Sequence, residues 1–310
     1  MKKVGIIGAT GAIGVSLINK CVENNVDVYV FVRKKSKKLG NIPINRKVHI
    51  IFCDMEEMKN FNIKDIPQLD VFYYFSWSNT FGEDARNNMK VQIANIEYAI
   101  DAVNFANRLG CKRFIGAGSQ AEYGRCYAPL TPNTPCFPEN GYGMAKLCAG
   151  QMTKIECHKL SIEHIWTRVL SIYGPYDGEN TMISYAIKSC LKGVNPEFTK
   201  CEQIWDYLSS YDAGKAFFLI GERGIPDKIY VIGSGKTRRL SEYIDIICKY
   251  TNENIKPLFG KISYNSNQVM YLKADISELK NDTGFEPNVE FEDGIKKTIH
   301  WYKEHYYEKN

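Results

Sequence analysis

The chain has 310 residues, of which 44% are hydrophobic, 13% aromatic and 24% charged, a composition that excludes collagenous, coiled-coil and intrinsically disordered proteins. Its 40 lysines and arginines against 35 acidic residues give a net charge of only +5, which does not indicate a nucleic-acid partner. At this length we expect one large α/β unit carrying a smaller lobe rather than two independent domains.

The first two-thirds of the chain alternates short β-branched runs with longer amphipathic stretches, a pattern typical of βαβ units and a parallel sheet. The predicted strands cover residues 3–7, 28–32, 49–52, 71–75, 113–117 and 163–170. The predicted helices between them are clearest over 12–23, 88–109 and 142–160. These elements predict an α/β fold with a doubly wound parallel sheet of the Rossmann type.

After residue 174 the pattern loosens into a predicted helix over 181–192 and a weakly periodic segment over 198–211. Residues 228–232 predict one more strand of the main sheet, and residues 293–308 predict a closing amphipathic helix. We therefore expect a dinucleotide-binding domain over 1–174, to which 212–240 returns. A smaller, sequence-interleaved C-terminal substrate lobe is expected from 175–211 and 241–310.

The cysteines and the N-terminal residues indicate the cellular compartment in which the protein is expected. The ten cysteines are dispersed singly, without a Cys-x-x-Cys pair or clustered histidines, so we expect reduced thiols and no metal site. Lys2-Lys3 and the apolar stretch that follows mimic a secretory signal, but the glycines described below fit a different mechanism. Because no apolar run elsewhere reaches the ~18 residues of a membrane span, we expect a cytoplasmic protein without a membrane partner.

A glycine-rich segment follows the first predicted strand and opens the first predicted helix. It reads Gly8-Ala9-Thr10-Gly11-Ala12-Ile13-Gly14. In this context the glycines permit a tight turn, close approach to a pyrophosphate and close packing of helix on strand. The helix N-terminus also faces phosphates with its partial positive charge. This segment is therefore predicted to bind a dinucleotide.

The end of the second predicted strand distinguishes between the two nicotinamide cofactors. NAD-binding proteins usually carry an acidic residue there, which binds the ribose 2′-hydroxyl. This chain instead has Arg33 and Lys34, which begin the basic run RKKSKK. Because an arginine can pair with a 2′-phosphate, the sequence favours NADP(H) over NAD(H). Asp54, which ends the third strand, is a candidate adenine contact or a helix N-cap.

Tyr142 and Lys146 lie four residues apart in the sequence YGMAK, and therefore on one face of a predicted helix. A free tyrosine has a pKa of about 10, so acid–base chemistry at neutral pH requires a fixed cation beside the phenol. Ser119 follows the strand predicted over 113–117, at the sheet edge where open α/β folds bind ligands. An ordinary turn serine is the alternative interpretation of Ser119.

Together these residues resemble the extended short-chain dehydrogenases/reductases, also called the NAD-dependent epimerase/dehydratase family, which act on nucleotide-activated sugars. The resemblance covers nearly the whole chain, because it also includes Asn95 and the stretches RVLSIYGP (168–175), WDYLSSYDA (205–213) and TGFEP (283–287). It implies that Ser119 orients the substrate oxygen and Tyr142 transfers the proton. Lys146 would hold the nicotinamide ribose and lower the tyrosine pKa.

The resemblance also assigns further contacts. The implied cofactor contacts beyond the glycine segment and the basic run are Asp54, Met55, Phe75, Ser76, Trp77, Tyr142 and Lys146, with Asn95 as a supporting residue. The implied substrate contacts are Ser78, Gln120, Tyr123, Ser171, Tyr173, Asn180 and Trp205. Family members often hold the substrate pyrophosphate with arginines where this chain has Trp205 and Gln268. Other candidates for that role are Lys200, Arg125 and Arg239.

The chain lacks residues that two of the family's reactions require, which reduces the number of candidate reactions. Family dehydratases carry an Asp-Glu pair directly after the catalytic serine or threonine, whereas this chain has Gln120 and Ala121. GDP-fucose synthase-like epimerase-reductases use a cysteine and a histidine where it has Ala121 and Tyr176. The remaining activities are reduction of a 4-keto sugar by NADPH and 4-epimerisation with a retained NAD.

Among these activities the basic strand end favours a 4-ketoreductase, which reduces the C4 ketone of a 4-keto-deoxysugar nucleotide with NADPH. An NAD-dependent nucleotide-sugar 4-epimerase is the enzymatic alternative, and an NADP-sensing regulatory protein is the non-enzymatic one. The resemblance further implies a homodimer, in which the helices predicted over 88–109 and 142–160 form a four-helix contact. The nucleotide, the sugar and the stereochemistry at C4 stay open.

Overall fold

The computed structural model describes residues 1–306. In chain order the strands are β1 (Lys3–Ile7), β2 (Asp27–Val32), β3 (Val48–Phe52), β4 (Val71–Tyr74), β5 (Arg113–Ser119), β6 (Glu163–Val169), β7 (Ser171–Tyr173), β8 (Ile204–Trp205), β9 (Tyr207–Ser209), β10 (Ile229–Ile232) and β11 (Arg238–Arg239). Seven of them form one parallel sheet in the order β10-β6-β5-β4-β1-β2-β3. The remaining four form two small two-stranded sheets, β11-β8 and β7-β9.

The helices of the described residues surround this sheet and build the lobe. They are α1 (Ala12–Glu23), α2 (Glu83–Arg86), α3 (Met89–Arg108), α4 (Gly141–Lys159), α5 (Met182–Leu191), α6 (Ser210–Arg223), α7 (Leu240–Thr251), α8 (Ser277–Thr283) and α9 (Phe291–Tyr306). The last two residues of the closing helix predicted over 293–308 lie outside the described residues.

Both faces of the main sheet are covered by helices. α1 and α6 pack together on one face, around a core that includes Leu17 and Phe217. α3 and α4 pack together on the other face, around Phe105 and Phe114. Because both faces are covered, the central strand β4 is buried along its whole length, as expected for a parallel sheet. The doubly wound Rossmann-type fold predicted from the sequence is confirmed.

The smaller lobe has a core of its own. Helices α5, α7 and α9 pack around Ile187, Ile247 and Ile295, all fully buried. Between α5 and α7 the chain returns to the main sheet, where β10 pairs in parallel with β6. α8 packs against α6 and β10, so it joins the large core. We propose the division predicted from the sequence, which separates 1–174 and 212–240 from a lobe of 175–211 and 241–310. The one change is that α8, although it lies within 241–310, belongs to the large unit.

The helix α6 was not predicted from the sequence, since Gly214 and Gly221 weaken its helical signal. Both glycines are required by packing rather than by conformation. A Cβ on Gly214 would lie 2.5 Å from the backbone of Ser16 in α1, and a Cβ on Gly221 would overlap the Tyr73 hydroxyl. The close approach of α6 to its neighbours is thus a tertiary contact that helix propensity does not reveal.

All seven strands of the main sheet point the same way, so their carboxyl ends share one edge. The glycine segment after β1, the loop after β4 and Ser119 at the end of β5 meet at this edge, where open α/β sheets bind ligands. Within residues 1–306, no helix combines the length and the apolar character that crossing a membrane requires.

Candidate active site

The glycine segment forms a tight junction between β1, β4 and α1. Gly8 has a φ of +81°, and a Cβ there would lie 2.6 Å from the backbone of Phe75 and Ser76. A Cβ on Gly14 would lie 2.5 Å from the backbone of Ala9. Gly11, the N-cap of α1, contributes no side-chain cap, and a Cβ on it would meet no atom within 4 Å. The open space and the uncapped N–H groups of α1 fit a dinucleotide pyrophosphate.

A cleft of about 600 Å³ opens above this junction. Its lining includes ten of the predicted site residues, namely Gly8, Thr10, Gly11, Arg33, Asp54, Met55, Phe75, Ser76, Trp77 and Ser78. Ala12, Ile13 and Gly14 begin α1 at its inner end. Lys34 is exposed outside this lining, whereas Ser36 and Lys38 of the same basic run take part in it. The structure therefore brings the predicted dinucleotide-binding residues together.

The basic end of the cleft is formed by the loop after β2, and a hydrogen bond attaches this loop to the glycine segment. Asn41 Nδ2 donates a hydrogen bond of 2.9 Å to the Thr10 carbonyl, which ties the loop after β2 to the glycine segment. Arg33 is exposed, and its guanidinium forms no ion pair with any carboxylate in the part of the chain that the structure describes. Asp54 lines the cleft, where it is still a candidate adenine contact. Its Oδ1 accepts a hydrogen bond from the Met55 N–H, but it caps no helix, because the short helical turn that follows spans residues 58–60 and has Glu57 at its N-cap.

The loop after β4 is anchored by two buried polar side chains of α3. Asn95 is fully buried, and its amide both accepts from the Ser78 N–H and donates to the Ser78 carbonyl, each at 3.0 Å. Gln92 is also buried, and its Oε1 accepts a hydrogen bond of 2.9 Å from Trp77 Nε1. Asn95 therefore supports the cleft from behind. Gln92 was not predicted, although its position three residues before Asn95 puts it on the same helix face.

Tyr142, Lys146 and Ser119 form a buried group, which we call the proton-transfer cluster. Tyr142 is 8% exposed and Lys146 3% exposed. Lys146 Nζ donates a hydrogen bond of 2.6 Å to the Ala117 carbonyl and lies 3.8 Å from the centroid of the Trp77 ring. The Trp77 ring also meets the Tyr142 ring edge to face, with the centroids 6.2 Å apart. Because Trp77 lines the cofactor cleft as well, it connects the cleft to the cluster.

The electrostatics of the cluster favour a protonated phenol. Burial raises the pKa of Tyr142, while a hydrogen bond with the Ser119 hydroxyl and the charge of Arg86 act in the opposite direction. Burial lowers the pKa of Lys146 to about 7, opposed by the negative charge of Glu122. At neutral pH Tyr142 thus carries the proton that a general acid must donate.

A buried carboxylate fixes the turn that carries Ser119. Glu122 is fully buried and accepts hydrogen bonds from the Ser119 N–H at 2.9 Å, from Trp166 Nε1 at 3.1 Å and from Arg168 Nε at 2.8 Å. Ser119 Oγ accepts from the Ala121 N–H, and together these bonds form a capping box. Glu122 was not predicted as a site residue, although the spacing S-x-x-E is a recognisable signal.

A second cavity, of about 350 Å³, lies between the large unit and the lobe. Gln120 lines it, together with Arg86, Asn140, Asn265 and Asn267. Tyr123, another predicted substrate contact, is instead buried, and its hydroxyl donates to the Thr131 carbonyl at 2.8 Å. The polar lining of this cavity suits a hydroxyl-rich ligand.

The candidate contacts of the lobe are dispersed. Trp205 Nε1 donates a hydrogen bond of 2.8 Å to Ser171 Oγ, so these two residues lie together. Tyr173 is buried in the lobe core, where its hydroxyl donates to the Phe291 carbonyl. Asn180 is exposed in the loop that precedes α5. The structure therefore brings Ser171 and Trp205 together, and it places Tyr173 and Asn180 apart from them.

Comparisons with known proteins agree with this geometry. The family model described as "NAD dependent epimerase/dehydratase family" matches residues 4–233. A putative UDP-glucose 4-epimerase from Methanocaldococcus jannaschii is 25% identical over 307 residues, which cover 96% of this chain and 97% of that protein. The dTDP-glucose 4,6-dehydratase from Escherichia coli is 27% identical over 184 residues, 56% of this chain. The match spans 51% of that dehydratase's length.

A solved structure has the same fold over nearly all of the described residues. The UDP-glucuronic acid 4-epimerase from Bacillus cereus, crystallised in complex with NAD, superposes with a TM-score of 0.85 at 19% identity. The superposition covers 98% of this chain and 99% of that one.

Proposed function

The chain belongs to the NAD-dependent epimerase/dehydratase family, and on this premise we propose that it is a nucleotide-sugar 4-ketoreductase. It reduces the C4 ketone of a 4-keto-deoxysugar nucleotide and uses NADPH as the reductant. The observation that carries the choice of cofactor is the basic end of the cleft, where Arg33, Ser36 and Lys38 all line the cavity. A guanidinium, a hydroxyl and an ammonium suit a 2′-phosphate, which is an anion with several acceptor oxygens.

The residues of the chain supply binding and proton transfer. NADPH, when bound, supplies the hydride. The N–H groups at the start of α1 hold the pyrophosphate, and Trp77 borders the site on the side of Lys146. The Ser119 hydroxyl orients the substrate oxygen, and the protonated Tyr142 donates its proton to that oxygen as negative charge develops there. Lys146, whose Nζ donates to the Ala117 carbonyl, would bind the ribose hydroxyls.

Turnover with a defined panel of substrates tests this proposal. The purified protein is incubated with NADPH and individual 4-keto-deoxysugar nucleotides, and the loss of reduced-nicotinamide absorbance is recorded. We expect turnover with NADPH that exceeds turnover with NADH. Tightly bound NAD that copurifies with the protein, combined with no NADPH consumption, would contradict the reductase.

A nucleotide-sugar 4-epimerase with a retained NAD is the second candidate, because both full-length similarities described above are to proteins named as 4-epimerases. The two reactions need different states of the cluster. An epimerase must first remove a proton from a hydroxyl, whereas a reductase must first donate one. The raised pKa of Tyr142 favours the donor in the unliganded protein.

We also propose a homodimer through α3 and α4. Both helices expose apolar side chains: Met89 and Ile93 on α3, and Met144, Met152 and Ile155 on α4. On α4 these positions and Cys148 recur at helical spacing and form one apolar stripe. Light scattering of the purified protein is expected to give twice the mass of the chain. Ile93→Glu combined with Ile155→Glu should give the monomer mass, and a monomeric parent protein would contradict the proposal.

A further inference from the structure

The short helix α2 carries a cation to the buried phenol of Tyr142. Arg86 ends this helix, and its Cζ lies 4.8 Å from the centroid of the Tyr142 ring, within the range of a cation–π contact. Arg86 Nε donates a hydrogen bond of 2.9 Å to the Thr80 carbonyl, which fixes the orientation of the guanidinium. The arginine is therefore held over the ring by two contacts rather than extended into solvent.

The segment that carries Arg86 is docked onto the helix that carries Tyr142. Asn87 Oδ1 accepts a hydrogen bond of 3.0 Å from the Gly141 N–H, at the first residue of α4. The buried Gln92 donates from Nε2 to the Ala85 carbonyl at 3.3 Å. These bonds couple α2, α3 and the start of α4, so the position of Arg86 over the ring is set by the surrounding structure.

The Lys146 ammonium is directed towards the Trp77 ring and the Ala117 carbonyl rather than towards the Tyr142 ring. Lys146 Nζ lies 5.9 Å from the centroid of the Tyr142 ring, compared with 3.8 Å for the Trp77 ring, and it donates to the Ala117 carbonyl. Arg86 Cζ is thus closer to the Tyr142 ring than the Lys146 ammonium is. Among the described residues, Arg86 also forms no ion pair that would divert its charge.

Carboxylates surround this pair on several elements. Glu122 lies buried in the turn after β5, where it forms an ion pair with Arg168. Glu83 of α2 and Glu139, in the loop before α4, line the same cavity as Arg86, and Glu139 is paired with Arg125. The charged groups that act on the pKa of Tyr142 are Arg86, which lowers it, and Glu122, which raises it, while burial remains the largest influence.

We propose that Arg86 is a positioning residue for proton transfer, which acts through Tyr142 by stabilising the phenolate form of its ring. When Tyr142 gives its proton to a substrate oxygen, the O–H bond breaks and a negative charge remains on the phenolate. The guanidinium over the ring interacts more strongly with that anion than with the neutral phenol. This inference rests on the proposed role of Tyr142, but it makes a statement about ionisation that can be tested without a substrate.

The test measures the ionisation of position 142 directly. Tyr142→3,5-difluorotyrosine, introduced site-specifically, gives ¹⁹F resonances of this residue alone whose shifts report ionisation, and the fluorines lower the pKa of the phenol so that it can be titrated in the folded protein. Arg86→Gln in this background is expected to raise the midpoint by about one pH unit, a roughly tenfold weaker acid, as expected for loss of a cation in contact. The matched control is Lys90→Gln, which removes an exposed positive charge four residues further along the chain.

The titration midpoints of the variants decide whether Arg86 stabilises the phenolate of Tyr142. A shift in Arg86→Gln that Lys90→Gln does not share supports the proposal. Equal midpoints in Arg86→Gln and its parent, or equal shifts in both variants, overturn it. Arg86→Met, which keeps the apolar stem over the ring, replaces Arg86→Gln if circular dichroism shows that the latter is unfolded. Because the titration needs no turnover, a failed reductase assay leaves its result intact, and turnover without the shift would overturn only the role of Arg86.

Discussion

The candidate cofactor cleft and the proton-transfer cluster lie at the same edge of the main sheet and meet at Trp77, yet they are built in opposite ways. The cleft is open, and its basic residue Arg33 is exposed at a strand end. The cluster is closed, with Tyr142 and Lys146 both less than a tenth exposed. Trp77 belongs to both regions, since it lines the cleft and its ring centroid lies 3.8 Å from the Lys146 ammonium.

This difference shows what each region requires from the fold. In the cleft the proposed pyrophosphate contacts are backbone N–H groups of the glycine segment, so few side chains need precise support. In the cluster every polar group must find a partner, because an unpaired polar group is costly when buried. The support comes from distant segments, such as Glu122 and Arg168 around the Ser119 turn. Substitutions in the cluster should therefore have larger effects than substitutions in the cleft.

The largest expected effect is that of Tyr142→Phe, which removes the proposed proton donor and keeps the ring. Because general acid catalysis contributes about 10²- to 10⁴-fold, kcat of NADPH-dependent reduction should fall by that factor. NADPH binding, measured by fluorescence titration, should stay within about twofold of the parent because the phenol lies outside the cleft lining. A cellular role that persisted unchanged in this variant would favour the NADP-sensing protein over the enzyme.

The next effect concerns stability. Glu122→Gln leaves the buried guanidinium of Arg168 without its counter-charge, and breaking a buried pair in this way typically costs about 3 kcal/mol or more. We expect a loss of that size in the free energy of unfolding by urea. Glu139→Gln, which breaks the surface pair with Arg125, is the matched control and should cost less than about 1 kcal/mol. Equal losses in the two variants would contradict the contrast between the buried and the exposed region.

In the cleft the basic strand end should show a more moderate effect. Arg33→Gln removes one charge-assisted contact, worth about 1.5–3 kcal/mol, so the preference for NADPH over NADH should fall about 10- to 100-fold. Lys34→Gln removes the same charge from the neighbouring residue outside the lining, and the preference should change less than about threefold. Dissociation constants of both dinucleotides give the ratio. A similar ratio in the parent and in Arg33→Gln would contradict the 2′-phosphate site.

The smallest effect, expressed per pH unit, is a pH dependence of stability that comes from Lys146. Burial lowers its pKa to about 7 in the folded protein, whereas a lysine of the unfolded chain titrates near 10.4. Between these values the unfolded state binds more protons, so this group makes the protein more stable as the pH rises, by up to about 1.4 kcal/mol per pH unit. Lys146→Met should lose this slope. The measurement is the melting temperature of the parent protein and of Lys146→Met at pH 7 and at pH 9. An equal change in melting temperature between the two pH values in both proteins would contradict the prediction.

The sequence was sufficient for the features whose signal is local. The glycine segment, the strand that precedes it and the helix that follows were all predicted with their observed positions, because a single βα junction carries both the turn and the helix start. The basic residues after β2 and the pair Tyr142 and Lys146 were likewise visible, since their roles depend on spacing along one element.

Contacts between segments that are distant in the sequence decided the surroundings of Tyr142 and the burial of several candidate site residues. Nothing in the local sequence around Arg86 indicates that its guanidinium covers the ring of Tyr142, 56 positions further along, and no periodicity places Tyr123 and Tyr173 inside cores rather than at a ligand. The amino-acid sequence alone determined the parallel sheet, the dinucleotide turn and the family, because these depend on short-range patterns of apolar and glycine residues. Only the tertiary structure decided which charges surround the phenol, because Coulomb interactions and burial depend on distance in space rather than on separation along the chain.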